Sequence, residues 1–522
     1  MTTDSSLAAG APLVTAQRPD TSHRAPVRRA LASIHGRTVE IVVVVVAIAA
    51  RLGVVLRDGG LHGIIGYDCG VYFAGADALI HGRMPYRDFT MVHPPGITLI
   101  LTPFALLTRV MTDWHAFIIA TLAFCVLGGV NAVLVVAVCR RFGFGTLAAG
   151  TAGLFYAAWF GSVSGEFEVK LEPLANFFLL CGLMAVLRAQ RHPSRWATVV
   201  AGLVLGLTMT VKIWWVVPVA VLVVWHAWRR RSVRSGAELA LGATTAVIVV
   251  YTPFFVADPT GMFSSVVTDQ LGRPRKGTSA HRLSGLTTVP ELFRHMPRAT
   301  QAWVVVPFVL VTVAILVLAW RASIIARILV ALVIIQLVVL FAAPSWFEYY
   351  SDYVAVSLSM TVGAAASTVS ATRRVSLRQT PSFLLTATML TITTAVTIAG
   401  TAAIRPYSGA AKLTHAVRHV PCVMTNFTTL LIRVDALTRG LKDGCPNWID
   451  ITGRVYGPDK RSVLRTKNET WHDELTRYLR SGNAIILWQA TRKGFAGHSA
   501  TAVTQDGVLA RAGGHTIYRV RH

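Results

Sequence analysis

Charge is scarce in this chain. Only 14% of its 522 residues are Asp, Glu, Lys or Arg, where a soluble globule carries about a quarter. Lysine is scarcer still, with eight of the 50 basic residues. Acidic residues number 25, which leaves a formal net charge of +25. In a soluble protein that excess would point to nucleic acid. Here most basic residues sit in short loops between apolar runs, as the positive-inside rule expects, so no nucleic-acid partner is implied. Cysteine is also sparse, at six, and shows no zinc-type spacing. There is no internal repeat, no heptad array and no phosphate-binding glycine loop. A cleavable signal peptide of the usual kind is not expected either, because the first apolar run starts near residue 40 after a long polar lead.

What the chain has instead is apolar length. Hydrophobic residues make up 53%, and the pattern is that of a polytopic α-helical membrane protein. Residues 1–37, with three prolines and repeated arginines, read as a disordered cytoplasmic tail. A first span runs to about Leu56. Later ones fall near 114–139, 146–163, 172–188, 196–211, 213–228, 237–257, 301–320, 322–343, 352–371 and 382–403. That is about 11 crossings, each near the ~20 residues a bilayer requires. Gly96–Thr108 is too short to cross and reads as a re-entrant or interfacial helix. With a cytoplasmic N-terminus, every inside loop carries two or more arginines. The loops 57–113, 164–171, 258–300 and 344–351 then lie outside, as does everything after 403. That tail, 404–522, alternates strand-like runs (483–488, 515–520) with a helical stretch at 470–480 and reads as a small α/β domain. Cys422 and Cys445 both lie in it, and outside the cytoplasm a disulfide between them is expected. Cys125, Cys139 and Cys181 read as small core residues of the spans. Asn426-Phe-Thr and Asn468-Glu-Thr match the glycosylation tripeptide and are read as chance.

Most acidic residues near span ends fall on the outer face. Asp68, Asp77 and Asp88 lie in the first loop, Glu166, Glu168 and Glu172 in the second, and Glu348 and Asp352 in the aromatic turn 346–353. Cations gather on the same side: Arg51, Arg57, Lys212, Arg273, Arg275, Lys276 and Arg282. Both signs of charge at one interface imply that something polar is handled there.

Tyr67-Asp68, a following helix, Gly82-Arg-Met-Pro-Tyr-Arg-Asp-Phe89 and His93-Pro-Pro-Gly96 resemble the first periplasmic loop of GT-C superfamily glycosyltransferases. The likeness is nearest to bacterial enzymes that use polyprenyl-phosphate sugars, such as actinobacterial mannosyltransferases and the lipid A aminoarabinose transferases. Arg51 and the turn at Tyr349-Tyr350 fit the same pattern, which covers roughly residues 40–400. Cys69 stands where many relatives have Glu. That leaves a bound divalent metal, Mg or Mn, an open question. The resemblance implies transfer of a sugar, with mannose and arabinose the obvious choices, from a polyprenyl-phosphate donor to a glycolipid, polysaccharide or protein acceptor at the outer leaflet.

Such a reaction needs a carboxylate base for the acceptor hydroxyl and cations for the phosphate leaving group. Asp68 is the candidate base, against the alternative of a helix N-cap. Arg51, Lys212, Arg273, Arg275, Lys276 and Arg282 are candidate donor-phosphate ligands, the alternatives being snorkelling for Lys212 and anionic lipid headgroups for the 269–277 loop. Glu168 and Glu172 share a helix face if the segment is helical, and either bind acceptor hydroxyls or pair with Lys170. His93, Tyr349 and Tyr350 complete the candidate sugar or acceptor contacts. Asp77 and Asp88 are expected to pair with Arg83 or Arg87. The competing readings are a transporter or flippase of lipid-linked sugars, and a non-catalytic GT-C relative. The absence of repeats and the one-sided charge favour the enzyme.

Overall fold

The structure is a computed structural model that describes residues 24–57, 61, 63, 66–275, 277–288, 297–371, 409–453, 467–488 and 497–521. The last expected span, 382–403, and Lys276 lie outside the described residues. Helix α1 (Arg24–Arg57) reaches back into the stretch assigned to the tail. It is followed by α2 (Tyr67–Ile80), α3 (Gly96–Ala105), α4 (Asp113–Arg141), α5 (Thr146–Ala158), α6 (Phe160–Glu166) and α7 (Leu171–Arg191). Next come α8 (Arg195–Val211), α9 (Val216–Arg230), α10 (Val233–Ala257), α11 (Pro259–Phe263), α12 (Asp269–Leu271) and α13 (Ser279–Thr287). Three further bundle helices span Arg298–Ala322, Ala326–Ala342 and Ala355–Ala371.

Helix ends follow local chemistry. Thr112, Ser194, Ser232 and Thr278 each accept a backbone N–H as N-caps of α4, α8, α10 and α13. Arginines occupy the last turns of α4, α7 and α9, where cations complement the helix dipole. Glu40 of α1 pairs with Arg140 at the far end of α4, so these two helices run antiparallel. Among the described residues, five helices are long and apolar enough to cross a membrane, and four apolar ones are shorter. α8 and α10 approach most closely where glycines meet: a Cβ on Gly202 would lie 2.1 Å from Leu239 O, and one on Gly242 2.1 Å from Val199 O.

The stretch 146–163, expected as one span, is broken. The backbone turns extended at Trp159 (φ −67°, ψ 126°) between α5 and α6, and Ser162 Oγ donates to the Trp159 carbonyl at 2.8 Å. This break swings Glu166 inward to Arg51.

The C-terminal part holds a four-stranded sheet of β1 (Val423–Thr425), β2 (Ala484–Leu487), β3 (Val508–Ala512) and β4 (His515–Arg519) in the order β1-β2-β4-β3. β1 and β2 are parallel and the other pairs antiparallel. Ile486 and Ile517 turn toward the core shared with the bundle, while Ile485 and Tyr518 face a second, smaller core with Leu475 and Leu479. Cys422 and Cys445 are disulfide-bonded, with Cα atoms 5.6 Å apart. Asn426 and Asn468 are buried, the first accepting from Trp488 N and the second capping helix Glu469–Arg480, so neither side chain is presented for modification.

This domain docks on α2 and the start of α4. Tyr67 Oη donates to Asp450 at 3.1 Å and accepts from Thr452 N, and Thr429 Oγ1 donates to Gly66 O at 3.0 Å. Asp113 accepts from Leu437 N and Thr438 N, while Asp435 accepts from Asp113 N. Asp77 does not pair with an arginine. Hydroxyls of Thr438 and Thr108 donate to it, and burial pushes its carboxyl up to about 6. Asp88 does pair with Arg87, at 2.8 Å. A Cβ on Gly70 would lie 2.1 Å from Thr429 Oγ1 and 2.8 Å from Thr429 Cα. Gly70→Ala is therefore expected to cost about 1–3 kcal/mol by overpacking and to raise hydrogen exchange across 426–452. Gly53→Ala, where a Cβ meets nothing within 4 Å, serves as the neutral control.

Candidate active site

Four segments converge beside α2. The first is α2 itself, whose N-cap is Gly66; Asp68 lies in its first turn rather than at the cap. The second is the run before α7, where Lys170 is the N-cap and Glu172 sits in the first turn. The third is Lys212, in extended conformation between α8 and the 3-10 turn Ile213–Trp215. The fourth is the 3-10 turn Glu348–Val354. His93-Pro-Pro-Gly96 is held against α8 because Gly96 lacks a side chain: a Cβ there would come 2.5 Å from Thr210 O. Tyr86, at φ 74°, donates its hydroxyl to His93 O at 2.7 Å and anchors the same loop.

Lys170 Nζ lies 3.1 Å from Asp68 Oδ2 and 3.2 Å from Glu168 Oε1. Tyr349 Oη donates to the same Asp68 Oδ2 at 2.7 Å. Asp68 Oδ1 has no hydrogen-bond partner among the described residues, and the Asp68 side chain keeps 30% of its surface exposed against 4% for Lys170. Burial pushes the Asp68 carboxyl up, but the Lys170 ammonium and the Tyr349 hydroxyl outweigh it and hold the group at about 2. Burial likewise opposes the charge on Lys170, and Asp68 and Glu168 overcome it and raise its pKa.

Lys212 forms a parallel arrangement. It pairs with Glu172 and sits 4.1 Å from the Tyr350 ring centroid and 4.2 Å from that of Trp214. Lys170 lies 4.2 Å over Tyr349 in the same way. Each lysine thus covers one ring of the Tyr349-Tyr350 pair, whose centroids are 5.1 Å apart. Glu172 Oε2 is buried without a partner among the described residues. His93 is near enough to Lys212, Arg273 and Asp68 to feel their charge, and burial with the two cations holds its imidazole well below its usual pKa. Arg273 is half-buried, and its Nε lacks a partner among the described residues.

Several expectations need correction. Arg51 is fully buried and committed to Glu166 and to the carbonyls of Ala47 and Ala157, so it is not placed to receive a phosphate. Arg282 is also buried and donates to the carbonyls of Leu340, Ala343 and Pro344, closing the C-terminal end of helix Ala326–Ala342. Arg275 is exposed and donates to Phe341 O. Glu168 and Glu172 do not share a helix face, because the helix starts only at Leu171. Glu168 pairs with Lys170 and accepts from Gly66 N at 3.0 Å, whereas Glu172 takes Lys212 instead. Below the site, Asn131 and Tyr156 also donate to Glu166, and Asn176 donates to Asp352. The sequence pattern offers Lys170 only as a carboxylate partner and gives no signal for Trp214. The sole signal was a lysine flanked by three glutamates in 166–172.

An apolar cavity of about 170 Å³ is lined by Leu283, Leu286, Phe308, Leu337, Val354 and Leu358.

Residues 89–339 match the model of Glycosyltransferase family 87. No curated protein matches the sequence. Among solved structures, ArnT from Cupriavidus metallidurans bound to undecaprenyl phosphate superposes with a TM-score of 0.58 at 16% identity, covering 91% of this chain and 97% of that one. The Archaeoglobus fulgidus oligosaccharyltransferase in complex with Zn and sulfate gives 0.57 at 12% identity, covering 86% and 67%. At these identities the two structures establish the fold.

Proposed function

We propose that this chain, which shares the fold of those two structures and matches the family 87 model over residues 89–339, is a membrane glycosyltransferase of the GT-C kind that draws its sugar from a polyprenyl-phosphate carrier. The sugar, mannosyl or arabinosyl, goes to a hydroxyl of a cell-envelope glycolipid, polysaccharide or protein. The N-terminus lies in the cytoplasm, and the reaction and the C-terminal domain lie outside. One observation carries the reading: Asp68 is tethered through Oδ2 alone, ionised and partly open, in a cluster that is otherwise buried.

In this mechanism the acceptor oxygen attacks the anomeric carbon as its proton passes to Asp68 Oδ1. The bond from that carbon to the phosphate oxygen breaks on the opposite face, and the configuration inverts. The electron pair leaves on the phosphate, where Lys212 and Arg273 offset the growing charge. Glu172 Oε2, lacking a partner, suits a sugar hydroxyl. The rings of Tyr349 and Tyr350 and the imidazole of His93 line the same space. The apolar cavity lined by Leu283, Leu286 and Phe308 suits isoprene units of the carrier, and undecaprenyl phosphate is what the Cupriavidus protein of like fold was captured with.

The test is a transfer assay with the full chain in lipid vesicles. Synthetic polyprenyl-phosphate mannose or arabinose is expected to yield glycosylated acceptor and free polyprenyl phosphate, and nucleotide sugars nothing. Transfer straight from a nucleotide sugar in carrier-free vesicles would overturn the donor assignment.

A further inference from the structure

Asp68 and Glu168 come from segments 100 positions apart and turn their carboxylates toward one point. In a site that discharges a phosphate, such a point is where a divalent ion is expected, and the archaeal structure of like fold was solved with zinc. Here the point is filled by a side chain. Lys170 Nζ stands within 3.1 and 3.2 Å of the two carboxylates, and its remaining side is closed by the Tyr349 ring at 4.2 Å. Its stem enters from the N-cap position of α7, and the side chain is 4% exposed. A hard divalent ion needs about six oxygens at roughly 2.0–2.6 Å. The pocket offers two carboxylates and an aromatic face, and no group of three or more His, Cys, Asp or Glu among the described residues is arranged to hold a metal.

We propose that Lys170 is a built-in cation standing where a divalent ion would sit, so that sugar transfer needs no bound metal. Lys170 is then a positioning residue. It draws Asp68 Oδ2 inward, which leaves Oδ1 for the acceptor proton, and it keeps the carboxylate ionised. Its charge of +1 against two carboxylates leaves the cluster net negative. The proposal deepens the reading of Asp68 as base and rests on it.

The experiment uses the full chain in lipid nanodiscs. Transfer is expected to be unchanged after EDTA treatment, and Mn2+ titrated under electron paramagnetic resonance is expected to find no stoichiometric site. Lys170→Met is expected to move the acidic limb of the transfer-rate profile upward by about 1–3 pH units, because burial and Glu168 then act on Asp68 unopposed. Lys170→Arg restores the limb, since it keeps the charge. Lys170→Asp, which adds a third carboxylate, is expected to bind Mn2+. Loss of transfer on chelation with recovery on added Mn2+, or a stoichiometric Mn2+ site in the wild-type chain, sinks the proposal. So does an unmoved acidic limb in a folded Lys170→Met protein. If that variant fails to fold, the chelation and Mn2+ results on the wild-type chain still decide. Both are independent of Asp68→Asn, whose retained activity would instead remove the base assignment.

Discussion

Asp68→Asn is expected to fold, to bind the lipid-linked donor and to transfer sugar about 10²–10⁴-fold more slowly. The amide matches the carboxylate in size and can still accept from Tyr349, so the local packing survives. What it cannot do is take a proton. Lys170 keeps Glu168 as its counter-charge at 3.2 Å, so the substitution does not strand a buried ammonium. The measurement is single-turnover transfer alongside donor binding and a thermal melt. Loss of donor binding in step with transfer would mean that Asp68 holds substrate rather than activating it. Full transfer would mean that the base lies elsewhere. Because the folded carboxyl titrates at about 2, below its ordinary 3.8, the ion pair's contribution to stability is complete above about pH 4. It is lost only as the pH falls through about 2. Wild-type transfer should therefore show no acidic limb from Asp68 in the range where membrane enzymes are assayed.

The largest effect on stability is expected at Arg51→Met. Arg51 and Glu166 are both fully buried, one on a membrane helix and the other on α6. Removing the guanidinium leaves a carboxylate facing apolar surroundings, which costs about 3–5 kcal/mol. Asn131 and Tyr156 would still donate to Glu166 Oε1, at 3.0 and 2.6 Å, but Oε2 would lose both its charge-assisted bonds. The double variant Arg51→Met/Glu166→Gln should recover most of the loss, since no charge then stays buried and Gln keeps an acceptor for Asn131 and Tyr156. Thermal melts of the two variants in detergent check this. If the single variant melts like the wild type, the pair is not a structural element, and its assignment to phosphate binding must be reopened.

These two residues also mark what the sequence makes legible and what it does not. Asp68 stood out because a carboxylate directly after a membrane span, followed by a turn-rich aromatic loop, has few structural uses. Arg51 stood out for the same reason, a charge at a span end. Nothing local distinguished the one that stays partly open from the one that is consumed by Glu166, 115 positions away. Arg282 is a similar case, because the carbonyls it closes belong to a helix end about 60 positions on. The role of Lys170 is not legible locally, because Asp68 and Glu168 flank it together only when α2 meets the start of α7.

By itself, the sequence determined the apolar helices with their arginine-rich ends, the short helix after Pro95 and two of the four strands of the C-terminal part. Each of these depends on neighbours within a few turns, through side-chain periodicity, capping and the desolvation of apolar runs. The tertiary structure alone decided which ions pair, which oxygen of Asp68 is left open and which helices enclose an apolar cavity. Those are distances between residues far apart in the chain. At membrane depth a charge that is not matched within a few ångströms is too costly to keep, so packing selects the partners and leaves the rest for the substrate.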